Sequence, residues 1–131
     1  RFVDSFEVQG TRDPSAWLTI PDAIKFIKNK KYQKAFNDSS KLAYETASKI
    51  AQLTKKPLLA KQNFLAPQMI SIPVPKYNVD KLKKLLLEKF NIEIPVIKWK
   101  NKCFVRISIQ IYNTKEDANK LIWALKKIYQ L

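Results

Sequence analysis

The amino-acid sequence predicts an α+β fold: a small antiparallel or mixed sheet of about three to four strands, with helices on one face and a long helix before it. Two observations predict this class. Apolar residues recur at helical spacing over residues 32–55, and they alternate at strand spacing over residues 104–113. We expect one domain over residues 1–131, with an N-terminal helical segment (1–56) and a strand–helix–strand–strand–helix unit (67–131).

The long helix is indicated by one apolar stripe whose members are separated by multiples of three and four residues. We expect this helix over residues 32–55. Lys56-Pro57 should end it, because the residue before a proline disfavours the helical conformation. The stripe consists of Phe36, Ala43, Ala47, Ile50 and Thr54.

Three further helices are predicted from their start signals. Thr19 with Asp22, and Thr114 with Asp117, have the three-residue spacing of a capping box. Asn78 is a favourable N-cap for a helix that should run to residue 90. These side chains can accept hydrogen bonds from backbone N–H groups that have no partner in the first helical turn.

The strands before the alternating segment are predicted at residues 69–74 and 92–96. Pro95 should place the second strand at a sheet edge or at its own end, because proline cannot donate a ladder hydrogen bond. Residues 99–102 are expected to turn the chain into the last strand. Together these segments predict a sheet built from chain segments close in sequence.

Arg106 is the first candidate binding residue. In residues 104–113, Val105, Ile107, Ile109 and Ile111 should point to one side of a strand, with Arg106 on the opposite side. Helices can cover only the apolar side, so Arg106 should face solvent or another domain. Its planar guanidinium suits two-pronged binding of a carboxylate or phosphate. The alternative is an exposed strand face on which any long polar side chain would serve.

Composition limits the class of protein. The chain has 131 residues, 46% of them hydrophobic, which is enough for one domain with a core. It has no apolar run of membrane-spanning length and no signal-peptide pattern. Cys103 is the only cysteine, so we expect a reducing, cytoplasmic location. Because the chain begins at Arg1, we expect a processed product or a piece of something longer.

The formal net charge of +14 suggests a nucleic-acid binder, but the excess is almost entirely lysine spread along the chain. Proteins that read bases usually use arginine and exposed aromatic residues. We therefore expect nucleic-acid binding to be the less favoured alternative: a free-standing basic α+β module for nucleic acid or another polyanion.

The residues of common catalytic sites are missing. The chain has no histidine, so it lacks the commonest general base and metal ligand. It has one glycine, Gly10, and no glycine-rich phosphate loop. We predict no catalytic residue and no metal site in this chain, and no complete enzyme.

Three stretches resemble the C-terminal part of class V aminotransferase-fold enzymes, which depend on pyridoxal phosphate. The resemblance is strongest to the isopenicillin N epimerase-like branch, with cysteine desulfurases and cystine lyases as relatives. The first stretch is Gly-Thr-Arg-Asp at residues 10–13 with the helix after it. The second is Ile-Glu-Ile-Pro-Val-Ile-Lys-Trp at residues 92–99. The third is Arg-Ile-Ser at residues 106–108 with Tyr-Asn at 112–113.

This resemblance implies roles for four residues. Arg106 would bind the α-carboxylate of an amino-acid substrate. Thr11 would contact the phosphate of pyridoxal phosphate, typically that of the neighbouring subunit in a homodimer. Gly10 would allow close backbone approach, and Arg12 would add positive charge near the phosphate.

The resemblance also implies what the chain does not supply. In such enzymes the Schiff-base lysine lies in an N-terminal large domain that has no counterpart in this sequence. We therefore expect the C-terminal small domain of a fold-type I enzyme, without bound cofactor when alone. Its partners would be the large domain and the amino-acid substrate, with no membrane. The reaction could be epimerase, lyase, desulfurase or aminotransferase chemistry.

Overall fold

A computed structural model of the chain describes residues 2–7, 10–11 and 13–131, with the backbone alone at residues 4 and 6. The chain divides into two compact units, Arg1–Lys34 and Ala35–Leu131. Each unit is described by itself. None of the helices in the described ranges is long and apolar enough to cross a membrane.

The first unit is helical. Its helices are α1 (Phe2–Glu7), α2 (Ser15–Leu18) and α3 (Ile20–Ile27). No residue of α2 or α3 is buried within this described part. Asn29 then accepts a hydrogen bond from the Lys31 N–H (2.8 Å), at the start of the long helix.

The capping box predicted at Thr19 does not form. Thr19 has helical backbone angles and makes no side-chain cap. Its hydroxyl instead donates to the carbonyl of Ala16 (3.0 Å), and Asp22 pairs with Lys25 at 3.5 Å. The reason is that α2 ends one residue before Thr19, so the helical backbone of Thr19 directs its hydroxyl back to the preceding turn.

The long helix α4 (Lys30–Thr54) confirms the prediction to within two residues at each end. Four members of the predicted stripe are buried, whereas Phe36 is only partly buried. Lys55, which follows the helix, has a left-handed φ of 52°. The buried stripe residues are Ala43, Ala47, Ile50 and Thr54.

The sheet has three antiparallel strands in the order β1-β3-β2, as the predicted fold class requires. Its elements follow the predicted order. They are β1 (Met69–Val74), α5 (Val79–Phe90), β2 (Val96–Trp99), β3 (Lys102–Ser108) and α6 (Lys115–Tyr129). β3 is therefore the central strand, with Ser71 of β1 opposite Arg106 and Val96 of β2 opposite Val105.

One apolar cluster joins α4, α5 and α6 to one face of the sheet. Alternation along the strands puts Ile72, Val105 and Ile107 on that face, and all three are buried. At about 25 cal/mol per Å² of apolar surface, their burial contributes several kcal/mol to folding. The opposite sheet face carries Arg106.

The predicted strand at residues 92–96 is displaced along the chain. β2 begins only at Val96. Asn91 has a left-handed φ of 51°, and the Ile92 N–H donates to the carbonyl of Leu86 (2.9 Å), so these residues complete the C-cap of α5. Pro95, which lacks an N–H, accepts from the Arg106 N–H (3.0 Å) just before β2 starts.

The last strand ends earlier than residue 113. Val105, Ile107 and Ile109 are buried as predicted, but Ile111 is 45% exposed and lies beyond β3. The Asn113 N–H donates to the Gln110 carbonyl (2.9 Å), which closes a turn in place of the sheet ladder.

The other predicted helix starts are confirmed. The Asn78 side chain accepts from the Lys81 N–H (2.9 Å) at the start of α5. Thr114 accepts from the Asp117 N–H (3.3 Å), and Asp117 accepts from the Thr114 N–H (2.9 Å), which is a complete capping box.

Candidate functional site

Arg106 lies near the middle of the central strand. Its backbone N–H donates to the Pro95 carbonyl, and its side chain shares a sheet face with Phe104 and Ser108. The residue is half-buried, where the sequence predicted a side chain directed away from the core. The neighbouring Phe104 is only 3% exposed, so one side of Arg106 adjoins buried apolar surface.

The Arg106 guanidinium has an unused donor. Its Nε is buried and has no hydrogen-bond partner in the part of the chain that the structure describes. A buried donor without an acceptor costs about 1–3 kcal/mol, and more when the group is charged. A carboxylate or phosphate oxygen is the acceptor that suits a guanidinium best.

A cavity of about 290 Å³ adjoins Arg106. Its walls are residues 91–95, residues 106–109 and the first turns of α6. This volume is just below the range typical of small-molecule sites, so the cavity suits only a small ligand. The arrangement can hold a small anionic ligand beside the guanidinium.

Three ionisable side chains accompany Arg106 in this cavity: Lys120, Glu93 and Asp117. Lys120 Nζ lies 3.5 Å from the carbonyl oxygen of Asn91. Asp117 is engaged in the capping box, and the hydrogen bond from the Thr114 N–H lowers the pKa of its carboxyl. The Asp117 carboxylate therefore interacts with the backbone at the start of α6.

The sequence did not identify Lys120 or Asp117 as cavity residues. Their three-residue separation places them on one side of α6, which is a signal that the sequence contains. No sequence pattern, however, indicates that this side of the helix faces residues 91–95. That contact is decided by how α6 packs on the sheet.

The predicted cofactor-binding residues belong to the first unit, and Arg106 belongs to the second, so the fold of neither unit alone brings them together. Gly10 has a left-handed φ of 73°. No atom lies within 4 Å of a Cβ added there, so the backbone angle and not crowding favours glycine. Thr11 is exposed, and Arg12 lies outside the described residues.

Cys103 and the carboxylates are the other side chains with potentially reactive groups. Within the described ranges, no three histidine, cysteine, aspartate or glutamate side chains could hold a metal ion. Cys103 is buried, and desolvation raises the pKa of its thiol. It packs as a small apolar residue in the core.

Comparison with known proteins adds the family. The model of the aminotransferase class-V family matches residues 4–121. Isopenicillin N epimerase of Amycolatopsis lactamdurans is 26% identical over 126 residues, which cover 95% of this chain and 32% of that protein. The probable L-cysteine desulfhydrase, chloroplastic, of Arabidopsis thaliana is 29% identical over 130 residues, which cover 86% of this chain and 27% of that protein.

The chain spans about three tenths of the length of the curated relatives it matches. The family match nevertheless covers most of the chain and includes all three stretches that carry the sequence resemblance. The chain therefore belongs to the class V aminotransferase family.

Proposed function

We propose that this chain is the small domain of a pyridoxal-phosphate enzyme acting on amino acids, and that Arg106 binds the substrate α-carboxylate. The observation that carries the proposal is that the buried Nε has no partner among the described residues and that Arg106 lines a cavity of about 290 Å³. A carboxylate in this cavity would be the acceptor that suits the guanidinium best. The names of the two relatives agree, since one specifies L-cysteine and the other isopenicillin N.

The class V aminotransferase family generally depends on pyridoxal phosphate. The residues of this chain would contact only the phosphate group of that cofactor. Gly10 and Thr11 are exposed and could contact its phosphate, with Arg12 as a third candidate. When bound, the cofactor supplies the electron sink for amino-acid chemistry. The chain's own contribution would be to bind and orient the substrate.

We infer that the lysine that holds the cofactor comes from a large domain, on the same polypeptide or on a partner. Every lysine in the described ranges is exposed, whereas a reactive lysine needs a pocket built around it. The long unmatched part of both relatives leaves room for such a domain. A homodimer would let Thr11 reach the phosphate of the neighbouring subunit.

The first test is Arg106→Ala in the assembled enzyme, with Arg106→Lys as the variant that keeps the charge. We expect KM for the amino acid to rise about tenfold to hundredfold in Arg106→Ala, because a charge-assisted hydrogen bond to a carboxylate is lost. Arg106→Lys should give a smaller rise, since lysine cannot form the two-pronged contact. Equal losses of cofactor and substrate affinity would contradict the assigned role.

The second test uses the chain alone. Titration with pyridoxal phosphate should give no saturable one-to-one absorbance change, because exposed lysines react weakly and without a single preferred site. A stoichiometric band that survives dialysis would show that this chain carries the reactive lysine, and it would overturn the division of roles proposed above.

A further inference from the structure

A groove unrelated to Arg106 lies at the end of the sheet where β2 turns into β3. It consists of two adjoining cavities of about 440 Å³ and 590 Å³. Both cavities are lined by Lys76, Asn101, Lys102 and Cys103, so the two halves of the groove adjoin. We call it the hairpin groove. Each half is larger than the cavity beside Arg106.

The hairpin groove is strongly basic. Lys76 and Lys102 line both halves, Lys56 lines the first, and Lys98 lines the second. Asp80 is the one acidic side chain among its lining residues. Among the described residues, the ion pairs involve other lysines: Lys25, Lys41 and Lys84. Four lysines against one aspartate therefore leave the groove lining with a net positive charge.

The tertiary fold assembles these charges. Lys56 follows α4, Lys76 follows β1, and the other two lysines come from the strands of the hairpin. Cys103 of the central strand β3 pairs with Val74 of β1 on one side and with Lys98 of β2 on the other. An anionic ligand bound in the groove would be attracted by each of these charges.

The walls of the first half are apolar and add to the attraction. Pro57, Leu58, Leu59 and Pro73 line it beside Lys56. Apolar walls reduce the local dielectric, so a charge bound there interacts more strongly than on an open surface. The volume falls in the range typical of small-ligand sites.

We propose that the hairpin groove binds an oligophosphate anion, such as a linear triphosphate. Single ammonium charges spread along a groove match successive phosphates, and lysine binds phosphate as a point charge. A ligand with a single carboxylate would neutralise only one of the four lysines. Inorganic tripolyphosphate and a nucleoside triphosphate share this chemistry. The proposal is independent of the role of Arg106.

The test is calorimetric titration of the chain with inorganic tripolyphosphate near physiological salt. The variant is Lys76→Gln/Lys102→Gln, which removes the two lysines shared by both halves. We expect its affinity to fall at least about tenfold, because hydrogen bonds to charged groups are lost. A parallel titration with adenosine triphosphate distinguishes the two kinds of ligand. Equal affinity for both would show that the groove recognises the phosphate chain, and tighter binding of adenosine triphosphate would show that it recognises a nucleotide.

The matched control is Lys89→Gln/Lys115→Gln, which has the same change in net charge. Lys89 is in the last turn of α5, whose first turn borders the groove, and Lys115 begins α6. We expect less than about a threefold loss of affinity for tripolyphosphate, because distant exposed charges are screened.

The Arg106→Ala variant should bind tripolyphosphate normally. Equal losses in both double variants, or no binding by the unmodified chain, would overturn the proposal. So would a single-stranded oligonucleotide that binds far more tightly through the same lysines.

Discussion

Gln68 and Arg106 are both half-buried, but the fold satisfies the hydrogen-bond donors of only one of them. Gln68 Nε2 donates to Ser39 Oγ (2.7 Å) and to Gln110 Oε1 (3.1 Å). It thereby links α4 to the ends of β1 and β3, and its donors are satisfied. Arg106 Nε is buried without such a partner within the described chain. A structural polar group is normally paired, so the unpaired one is the better candidate for ligand binding.

The Gln68 contacts give a prediction at this scale. Gln68→Leu should lower the free energy of unfolding by about 1–3 kcal/mol, because it leaves Gln110 Oε1 with one acceptor contact fewer and removes the donor to Ser39. Urea denaturation followed by circular dichroism measures this. Gln62→Leu, at an exposed position, is the control and should change stability little. Equal effects of both substitutions would show that the Gln68 network is not stabilising.

At the scale of elements, the helix ends show how local hydrogen bonds stabilise the fold. The capping box of α6 uses both the side chain and the backbone of Thr114 and Asp117. It satisfies two donors that would otherwise have no partner in the first turn. The hairpin turn depends in a similar way on two residues: Lys100 and Asn101 have φ values of 43° and 64°. Such paired left-handed residues match the twist of a two-stranded hairpin.

The capping box predicts a pH dependence. The pKa of Asp117 is lowered in the folded protein, chiefly by the hydrogen bond from the Thr114 N–H, relative to the ordinary value of 3.8. A lowered pKa means that the carboxylate stabilises the folded state above this ordinary value, and that the contribution is lost as the pH falls through the folded value. Asp117→Asn should therefore show a smaller fall of Tm below about pH 4.

Thermal melts between pH 7 and pH 2 measure this difference. The hydrogen bonds from Ser15 also lower the pKa of Asp13, so some acid sensitivity should remain in the Asp117→Asn variant. Asp80→Asn, in the first turn of α5, is the matched control for removal of a helix-start carboxylate. Parallel melting curves for Asp117→Asn and the unmodified chain would contradict the prediction.

At the scale of the whole molecule, the described residues of the apolar core all lie within the second unit. All residues of the core cluster fall after residue 41, while α2 and α3 contribute no buried residue. The second unit should therefore fold without the first. Residues 29–131, which keep the Asn29 contact at the start of α4, should melt within a few degrees of the whole chain. Loss of cooperative melting in this shortened chain would show that the first unit is needed for the core.

The sequence by itself determined the family, the α+β class, the long helix, the central strand that carries Arg106, and two helix caps. These depend on periodic patterns or on hydrogen bonds between residues three positions apart. The displaced start of β2 was not predictable in the same way, because residues 91 and 92 satisfy the end of α5 before the strand can begin. The failed cap at Thr19 has a similar cause, since the preceding helix fixes its backbone.

Only the tertiary structure decided which side chains meet. The cavity beside Arg106 is lined in part by residues 91–95, and the hairpin groove brings Lys56 to Lys102. Contacts of this kind depend on how helices pack against the sheet, and no local spacing encodes them. Periodicity fixes which face of an element is apolar, but the polar neighbours across a cavity are set by packing between distant segments.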